Sequence, residues 1–263
     1  MKKFFYTTLL SSFLLSISMG AHAQTPEEQG LAIAVEADKR DLGWGDSTAN
    51  MLMTLRNKAG KESRREIRIK NMEVDGDGDK SISIFDQPAD VKGTAFLSHT
   101  HAQKPDDQWL FLPALKRVKR ISSANKSGPF MGSEFAFEDL SSQEVEKYTY
   151  KLLGEEELNG TMMFKLERIP QYAKSGYTKQ VSWIDKEHYR FFKTEFYDRK
   201  NSLLKTLVSS DFKQYLGKYW RPSVMQMVNH QNGKQTDLTW DNYQFGVGLN
   251  NKDFEQAALR RTR

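Results

Sequence analysis

Serine, aspartate and histidine side chains offer one arrangement that could hydrolyse an ester. Ser47 ends a Gly-Asp-Ser triplet, and Asp185 and His188 lie far downstream, as a nucleophile and its Asp/His pair do in Gly-Asp-Ser esterases. That chemistry needs an α/β layered fold and an intermediate Gly-x-Asn block, and neither occurs where it should. We therefore interpret residues 185–188 as a hairpin turn and predict that the protein is not an enzyme.

Acidic and histidine side chains offer two arrangements that could hold a metal ion. Residues 75–79 (DGDGD) begin a pattern of acids like that of a calcium loop, but Lys80 occupies the position of the required glycine. His99 and His101 share one face of a strand, and no third ligand is identifiable. The chain contains no Cys. We predict an acidic hairpin tip and exposed strand histidines, with no metal site and no cofactor.

The most informative stretch, residues 109–139, combines an apolar strand, a proline, a group of cations and a glycine-punctuated aromatic loop. Apolar residues 109–112 occupy both faces of the strand, so the strand should be largely buried. Pro113 removes a donor from the sheet hydrogen bonds at its end. The cations that follow cannot all be buried without partners, so the strand should emerge at a basic surface. These cations are Lys116, Arg117, Lys119 and Arg120.

Three interpretations of that basic group stay open: a solvated rim, a docking surface for an acidic partner protein, and contact with anionic lipid headgroups. The loop that follows has glycines at positions 128 and 132. These glycines permit a mobile flap.

Hydrophobic periodicity predicts one helix followed by many strands. In residues 27–41 apolar side chains recur at helical spacing, and Gly43 follows as a stop. From Ala49 onward apolar and polar residues alternate in several runs, and Asn-Gly pairs at residues 159–160 and 232–233 favour tight hairpins. The breaks are too short for crossover helices. The pattern therefore predicts a mainly β (α+β) fold, with an antiparallel meander of about eleven strands and one or a few helices.

The N-terminus predicts export. Lys2 and Lys3 precede an apolar run, and residues 21–23 (AHA) supply small residues before a cleavage site, so residues 1–23 are predicted to be a cleavable signal peptide. The run is about 14 residues long, and a membrane-spanning helix needs about 20. Because there is no Cys, the cut cannot be followed by a lipidated cysteine. We expect an unlipidated protein in a bacterial periplasm.

The remaining residues, 24–263, are predicted to form a single domain, because no Pro, Gly or Ser-rich linker and no internal repeat divides them. Loss of Lys2 and Lys3 lowers the formal net charge from +5 to +3. This mild positive balance does not imply nucleic acid binding.

Four sequence blocks carry a family resemblance. They are residues 43–46 (GWGD), 85–94 (FDQPADVKGT), 109–121 (WLFLPALKRVKRI) and 126–133 (KSGPFMGS). In these blocks the chain resembles the outer-membrane lipoprotein-sorting protein family, a divergent LolA-like group of periplasmic proteins related to LolA and LolB. The resemblance extends over essentially all of residues 24–263.

The resemblance implies a half-open antiparallel β-barrel of about eleven strands whose concave side is covered by short helices. LolA carries the acyl chains of lipoproteins in that hollow, so the implied function is a periplasmic carrier for a lipid or lipidated protein. Members of the divergent group often accompany RND-type lipid exporters. The alternative is a periplasmic accessory subunit that docks on an RND-type membrane transporter and carries no cargo itself. The implied partners are lipid or lipoprotein acyl chains and an RND-type inner-membrane transporter or an outer-membrane acceptor.

Seven apolar side chains are candidates for the hollow or its lid. The same side chains could instead simply fill a core. Unbranched Met suits a groove whose ligand varies in shape. The candidates are Met51, Met53, Trp109, Phe111, Phe130, Phe135 and Phe137. A carrier should keep an unfilled apolar cavity, whereas a docking subunit could fill the hollow with its own aromatic rings.

Overall fold

The fold is given by a computed structural model that describes residues 23–122 and 124–261. The predicted signal peptide, residues 1–23, lies outside the described residues except for Ala23. No helix in the described part of the chain is both long enough and apolar enough to cross a membrane.

The described residues form one α-helix, thirteen strands and six short 3-10 helices. The helix α1 spans Pro26–Asp41. The strands are β1 (Asp46–Arg56), β2 (Glu62–Met72), β3 (Lys80–Gln87), β4 (Ala95–His99), β5 (Asp107–Leu112), β6 (Arg117–Ile121), β7 (Tyr148–Leu158), β8 (Thr161–Pro170), β9 (Tyr177–Asp185), β10 (Phe191–Asp198), β11 (Leu203–Tyr215), β12 (Tyr219–Asn229) and β13 (Gln235–Phe245). The 3-10 helices are Pro113–Leu115, Phe130–Gly132, Phe137–Leu140, Val145–Lys147, Asn251–Phe254 and Ala258–Arg260.

All thirteen strands of the described residues join one antiparallel sheet, in the order β6-β5-β4-β3-β2-β1-β13-β12-β11-β10-β9-β8-β7. Almost every strand therefore pairs with its neighbour in the chain. The exceptions are β1 and β13, which pair with each other in the middle of the sheet, and β6 and β7, which form its two edges. The described chain between those edges, residues 122 and 124–147, leads from one edge of the sheet to the other. We call it the crossover segment.

The predicted half-open, mainly β barrel with short covering helices is confirmed. The described residues contain thirteen strands where about eleven were predicted, because short strands such as β4 and β6 carry too few residues for a clear alternation. The predicted Asn159-Gly160 hairpin joins β7 to β8, and both residues adopt positive φ, 53° and 79°. That conformation is the reason Asn-Gly favours tight hairpins.

One face of the sheet, the inner face, is covered by the crossover segment. Phe85 and Phe96 project from β3 and β4 and meet Phe130 at ring-centroid distances of 5.9 and 5.2 Å. Phe137 lies 5.5 Å from both Phe96 and Phe130. Phe85, Phe96 and Phe130 are each no more than 1% exposed. The crossover segment thus contributes its own rings to the core.

On the opposite face, the outer face, the C-terminal segment, residues 246–261, covers the part formed by β3 to β5. Ile84 and Leu97 on this face pack with Phe254 and Leu259, both nearly or fully buried. Because successive side chains of a strand point to opposite faces, strands β3 and β4 contribute to both layers. For this reason apolar residues occur at consecutive positions in β3 and β4, with one residue facing each layer.

Helix α1 covers the inner face over β7 to β9. Its N-terminus carries Pro26 and a capping box in which Thr25 and Glu28 bond each other's backbone N–H, and such a box satisfies donors that a helix start leaves free. Ile33 and Ala34 pack against Tyr150 and neighbouring apolar residues. The sheet therefore has two covers on its inner face, α1 and the crossover segment.

Candidate functional site

A row of polar side chains crosses the inner face perpendicular to the strands. Directly opposed residues on neighbouring strands share a face, and the strand registers align one residue from each of six consecutive strands in a row. The row is Tyr150, Arg168, Gln180, Phe196, Lys205 and Asn229. Only Phe196 in it is apolar. We call it the polar row.

The crossover segment is hydrogen-bonded to this row at three places. Asn229 Nδ2 donates to Glu134 Oε2 at 2.7 Å, and Lys205 Nζ donates to Asp139 Oδ2 at 2.7 Å. Arg168 Nη1 donates to a side-chain oxygen of the crossover segment as well, that of Gln143. Buried polar groups need such partners. The row therefore fixes the path of the crossover segment over the sheet.

Glu138 is a further anchor of the crossover segment. The carboxylate is 8% exposed and accepts hydrogen bonds from the Ser175 hydroxyl and the Gly176 N–H, each at 2.8 Å, and from the Tyr172 hydroxyl at 3.0 Å. Burial raises its pKa despite these donors. The segment is held by buried polar contacts as well as by its aromatic rings.

A cavity of about 870 Å³ stays open between α1 and the crossover segment. Its apolar lining includes Ala34 and Ala37 of α1 and Leu166 and Phe191 of the sheet. Tyr150 and Arg168 of the polar row reach the same cavity. Small-molecule sites commonly have volumes of about 300–1,000 Å³. The cavity is therefore large enough for a substantial apolar ligand.

Acidic side chains line this cavity both from α1, at Asp38 and Asp41, and from the opposite wall, which includes Asp77, Asp79 and Glu144. Burial, and next the charge of Glu144, raise the pKa of Asp79 to about 7. Burial also raises the pKa of Glu144. Asp77 behaves differently, since its contact with His101, 2.7 Å from Asp77 Oδ2 to His101 Nδ1, lowers its pKa to about 2. The wall thus combines a firmly ionised carboxylate with carboxyls that retain protons more readily.

A second cavity, of about 560 Å³, lies at the other end of the polar row and is bounded by residues 132–136 of the crossover segment. Lys205 and Asn229 line it, together with Tyr177 and the exposed cations Arg199 and Lys234. It is smaller than the first cavity, and α1 takes no part in its lining. Because of its volume, the larger cavity is the better candidate for a long apolar chain.

Five of the seven candidate apolar residues come together on the inner face. Met51, Met53, Phe130 and Phe135 belong to one buried cluster, and Phe137 packs against it. These five residues pack together in that cluster. None of them lines the larger cavity. Whether any of them contacts a ligand remains a prediction.

Trp109 and Phe111 do not join the other five. They pack with the outer-face cluster that contains Phe254 and Leu259, whereas Leu110 between them belongs to the inner-face cluster. The expectation that these two rings share a hollow with Met51 is therefore corrected. Both faces of β5 are covered, so the alternation alone could not identify the inner face.

The four basic candidates lie around the edge strand β6 and do not share one face. Arg117 and Lys119 oppose Leu112 and Leu110 of β5, while Arg120 opposes Trp109. All four are exposed, and Arg120 pairs with Asp107. Charged residues on an edge strand also discourage pairing with other chains. The three interpretations of this basic group stay open.

The residues of the esterase-like arrangement, Ser47, Asp185 and His188, make structural contacts instead. Ser47 Oγ accepts a hydrogen bond from Asn71 Nδ2 at 3.4 Å, and the ring of His188 lies 4.9 Å from that of Trp220. Asp185 accepts backbone N–H donors within its own turn. Among the described residues no group of three or more His, Cys, Asp or Glu side chains could hold a metal ion.

The two histidines point to different partners. His99 Nε2 lies 2.7 Å from the backbone oxygen of Phe254, so it anchors the C-terminal segment. His101 follows the end of β4 and contacts Asp77 of the acidic turn. His101 is 9% exposed, so the expectation of an exposed strand histidine is wrong at this position.

Sequence reasoning missed Tyr150 and Arg168. A signal for Arg168 was present, because residues 164, 166 and 168 alternate with polar residues and the first two are Phe and Leu. The alternation therefore placed an arginine on a buried face. A buried arginine is unusual enough to mark a site.

The class of protein is defined by the fold. The structure superposes on a crystal structure of a LolA superfamily protein from Nitrosomonas europaea with a TM-score of 0.70, at 22% sequence identity, covering 90% of this chain and 100% of that chain. At this identity the likeness shows the shared fold. The protein has the LolA superfamily fold.

Sequence similarity then identifies the family. An outer membrane lipoprotein-sorting protein domain from Vibrio parahaemolyticus is 60% identical, with a TM-score of 0.88, over 89% of this chain and 100% of that chain. A DUF1329 family protein from Desulfovibrio piger is 33% identical, with a TM-score of 0.85, over 90% and 100%. A family model described as "Uncharacterized protein" matches residues 77–261. No curated protein matches the chain. The chain belongs to the family of these lipoprotein-sorting and DUF1329 proteins, as its sequence blocks predicted.

Proposed function

We propose that the protein is a periplasmic carrier for a lipid or lipidated protein and that residues 24–263 act as one non-catalytic domain. The description of the Vibrio parahaemolyticus relative as an outer membrane lipoprotein-sorting domain supports this class of function. The observation that carries the proposal is the open cavity of about 870 Å³ beside α1. A carrier needs such a space, whereas a protein that only docks does not.

The apolar part of the cavity is suited to an acyl chain. Ala34 and Ala37 present small side chains from α1, and Leu166 and Phe191 face them from the sheet side. Each methylene group that leaves water contributes about 0.8 kcal/mol. A chain of ordinary length would therefore gain several kcal/mol here without any reactive group in the protein.

The proposal is tested by filling the cavity from α1. Ala37 lines the cavity, so an Ala37→Trp variant places an indole where the chain would lie. Ala32 is exposed on the same helix, and Ala32→Trp adds the same side chain outside the cavity. We expect Ala37→Trp to abolish uptake of a fluorescent fatty acid and Ala32→Trp to bind as the wild type does.

Native mass spectrometry of protein purified from periplasm provides the second readout. A bound lipid should accompany the wild type and Ala32→Trp and be absent from Ala37→Trp. The carrier proposal is refuted if the folded wild type neither carries lipid nor takes up the fluorescent probe.

A second candidate function is supported by the filled inner face. Phe130 and Phe137 occupy the space above Phe85 and Phe96, which is how a docking subunit could fill its hollow. Under this candidate the partner is an RND-type inner-membrane transporter or an outer-membrane acceptor, contacted through cations such as Arg117 and Lys119. Absence of any bound lipid in the experiment above, together with co-purification of such a membrane partner, would favour it.

A further inference from the structure

Arg168 is a buried cation without a carboxylate partner. Arg168 is only 3% exposed. Nε donates to Gln180 Oε1 at 2.6 Å and Nη1 donates to Gln143 Oε1, and both acceptors are neutral. Its Cζ also lies 5.2 and 5.9 Å from the ring centroids of Tyr148 and Phe191. Among the described residues no ion pair joins Arg168 to an acid, and Nη2 makes no hydrogen bond with them. A buried charge is costly unless it is paired.

Lys205 shows what a compensated cation in the same row looks like. It is equally buried, at 3% exposed, and its ammonium group pairs with the buried Asp139 at 2.7 Å. The crossover segment thus supplies a carboxylate to Lys205 and only an amide to Arg168. The difference is specific to the end of the row that opens into the larger cavity.

Tyr150 adds a free hydroxyl beside Arg168. The two residues are directly opposed on β7 and β8, so their side chains share the inner face. Tyr150 is 9% exposed and lines the cavity, and its hydroxyl makes no hydrogen bond with the described residues. A guanidinium edge and a hydroxyl that lie side by side can together bind two oxygens of one planar group.

We propose that Arg168 and Tyr150 bind the carboxylate of a long-chain amphiphile, a fatty acid in chemical class, whose apolar chain lies in the cavity between α1 and the crossover segment. The proposal rests on the carrier function proposed above. It adds the chemical nature of the head group and the orientation of the ligand, whose carboxylate lies inside the cavity and contacts the sheet. Arginine suits this role because its planar fork matches a carboxylate.

The acidic wall of the cavity does not oppose this assignment strongly. Asp79 and Glu144, and likewise Asp38 and Asp41 on α1, retain protons more readily than exposed carboxyls because burial raises the pKa of each. Asp77 is occupied by His101. Arg168 is the only cation among the described residues that line the cavity, so a carboxylate that enters the cavity is attracted to Arg168.

The test compares three probes of equal chain length: dodecanoic acid, methyl dodecanoate and dodecan-1-ol. Binding to the wild type is measured by calorimetric titration below the critical micelle concentration. We expect the acid to bind at least tenfold more tightly than the ester or the alcohol. Hydrogen bonds to charged groups account for a preference of this size.

Two variants locate the site. Tyr150→Phe removes a hydroxyl that has no hydrogen-bond partner among residues 23–122 and 124–261, so its melting temperature should be unchanged while its affinity for the acid falls about three- to tenfold. Arg168→Gln should remove most of the remaining preference for the acid. Tyr197→Phe, whose hydroxyl contacts Glu195 away from the cavity, should bind all three probes as the wild type does.

The outcomes separate the two proposals. Equal affinity of the wild type for acid, ester and alcohol would overturn the carboxylate assignment and leave the carrier function standing. Unchanged acid affinity in folded Tyr150→Phe would remove the head group from this site, even if Arg168→Gln does not fold. Failure of all three probes to bind the wild type would overturn both proposals.

Discussion

At the scale of single residues, the inner face shows that the position of a side chain in a strand does not determine which partner it meets. Arg168 and Lys205 occupy equivalent places in the polar row, yet Lys205 meets the carboxylate of Asp139 and Arg168 meets the amide of Gln143. Both positions follow from alternation along a strand. The partners come from a segment distant in sequence, and alternation carries no information about it.

Asp79 is expected to make stability depend on pH. Its pKa is raised from 3.8 to about 7 by burial and by Glu144, so the folded state binds this proton more tightly than the unfolded state. The contribution to stability is complete below about pH 4 and is lost as the pH rises through about 7, at a cost of a few kcal/mol.

An Asp79→Asn variant keeps the shape of the side chain and removes its charge. We expect its melting temperature to exceed that of the wild type by several degrees at pH 8 and to match it near pH 4. Asp75→Asn, an exposed substitution in the same turn, serves as the control and should have little effect at either pH. A wild-type melting temperature for Asp79→Asn at pH 8 would contradict the raised pKa.

At the scale of elements, the contact between α1 and the edge strand β7 depends on a glycine. A Cβ atom added to Gly30 would lie 2.8 Å from Leu152 N and from Lys151 C, and backbone atoms cannot move aside as a flexible side chain can. Glycine normally weakens a helix interior by about 1 kcal/mol relative to alanine. The close approach to β7 explains its presence here.

Gly30→Ala should therefore destabilise the protein although alanine is the better helix former. We expect a lower urea midpoint and a change in cavity binding, because α1 forms one wall of the larger cavity. Lys39→Ala changes an exposed residue of the same helix and should shift stability by no more than about 0.5 kcal/mol. A stabilised Gly30→Ala variant would show that α1 does not pack as closely as described.

At the scale of the whole molecule, the crossover segment joins the two edges of the sheet and fills much of its inner face. Phe130 is 1% exposed and touches rings from two strands and one ring of its own segment. These contacts hold the segment over β3 and β4, on the half of the sheet opposite to α1.

Phe130→Ala should lower the free energy of unfolding by about 3–5 kcal/mol, the range for truncating a buried Phe. Leu115→Ala, at a residue that is 63% exposed, should change it by no more than about 0.5 kcal/mol. Urea denaturation followed by tryptophan fluorescence measures both. A cost below about 1 kcal/mol for Phe130→Ala would mean that the segment is not packed in solution as it is here.

Much of this architecture was predictable from the sequence. The helix, the antiparallel strands and the Asn159-Gly160 hairpin follow from local periodicity and turn chemistry. The route of the crossover segment was not predictable, because it depends on Glu134, Asp139 and Gln143 meeting partners 25 to 95 residues away. For the same reason the loop that sequence reasoning read as a flap is a buried part of the core at Phe130.

The pairing of β1 with β13 has a consequence for the order in which the sheet can assemble. The hairpins of β1 to β6 join strands that are close in sequence, but the second edge of β1 has no partner until residues 235–245 have docked on it. Until then Met51 and Met53 lie beside an open strand edge, which other chains could pair with. The edge of β1 thus stays open to pairing with another chain until β13 has docked on it.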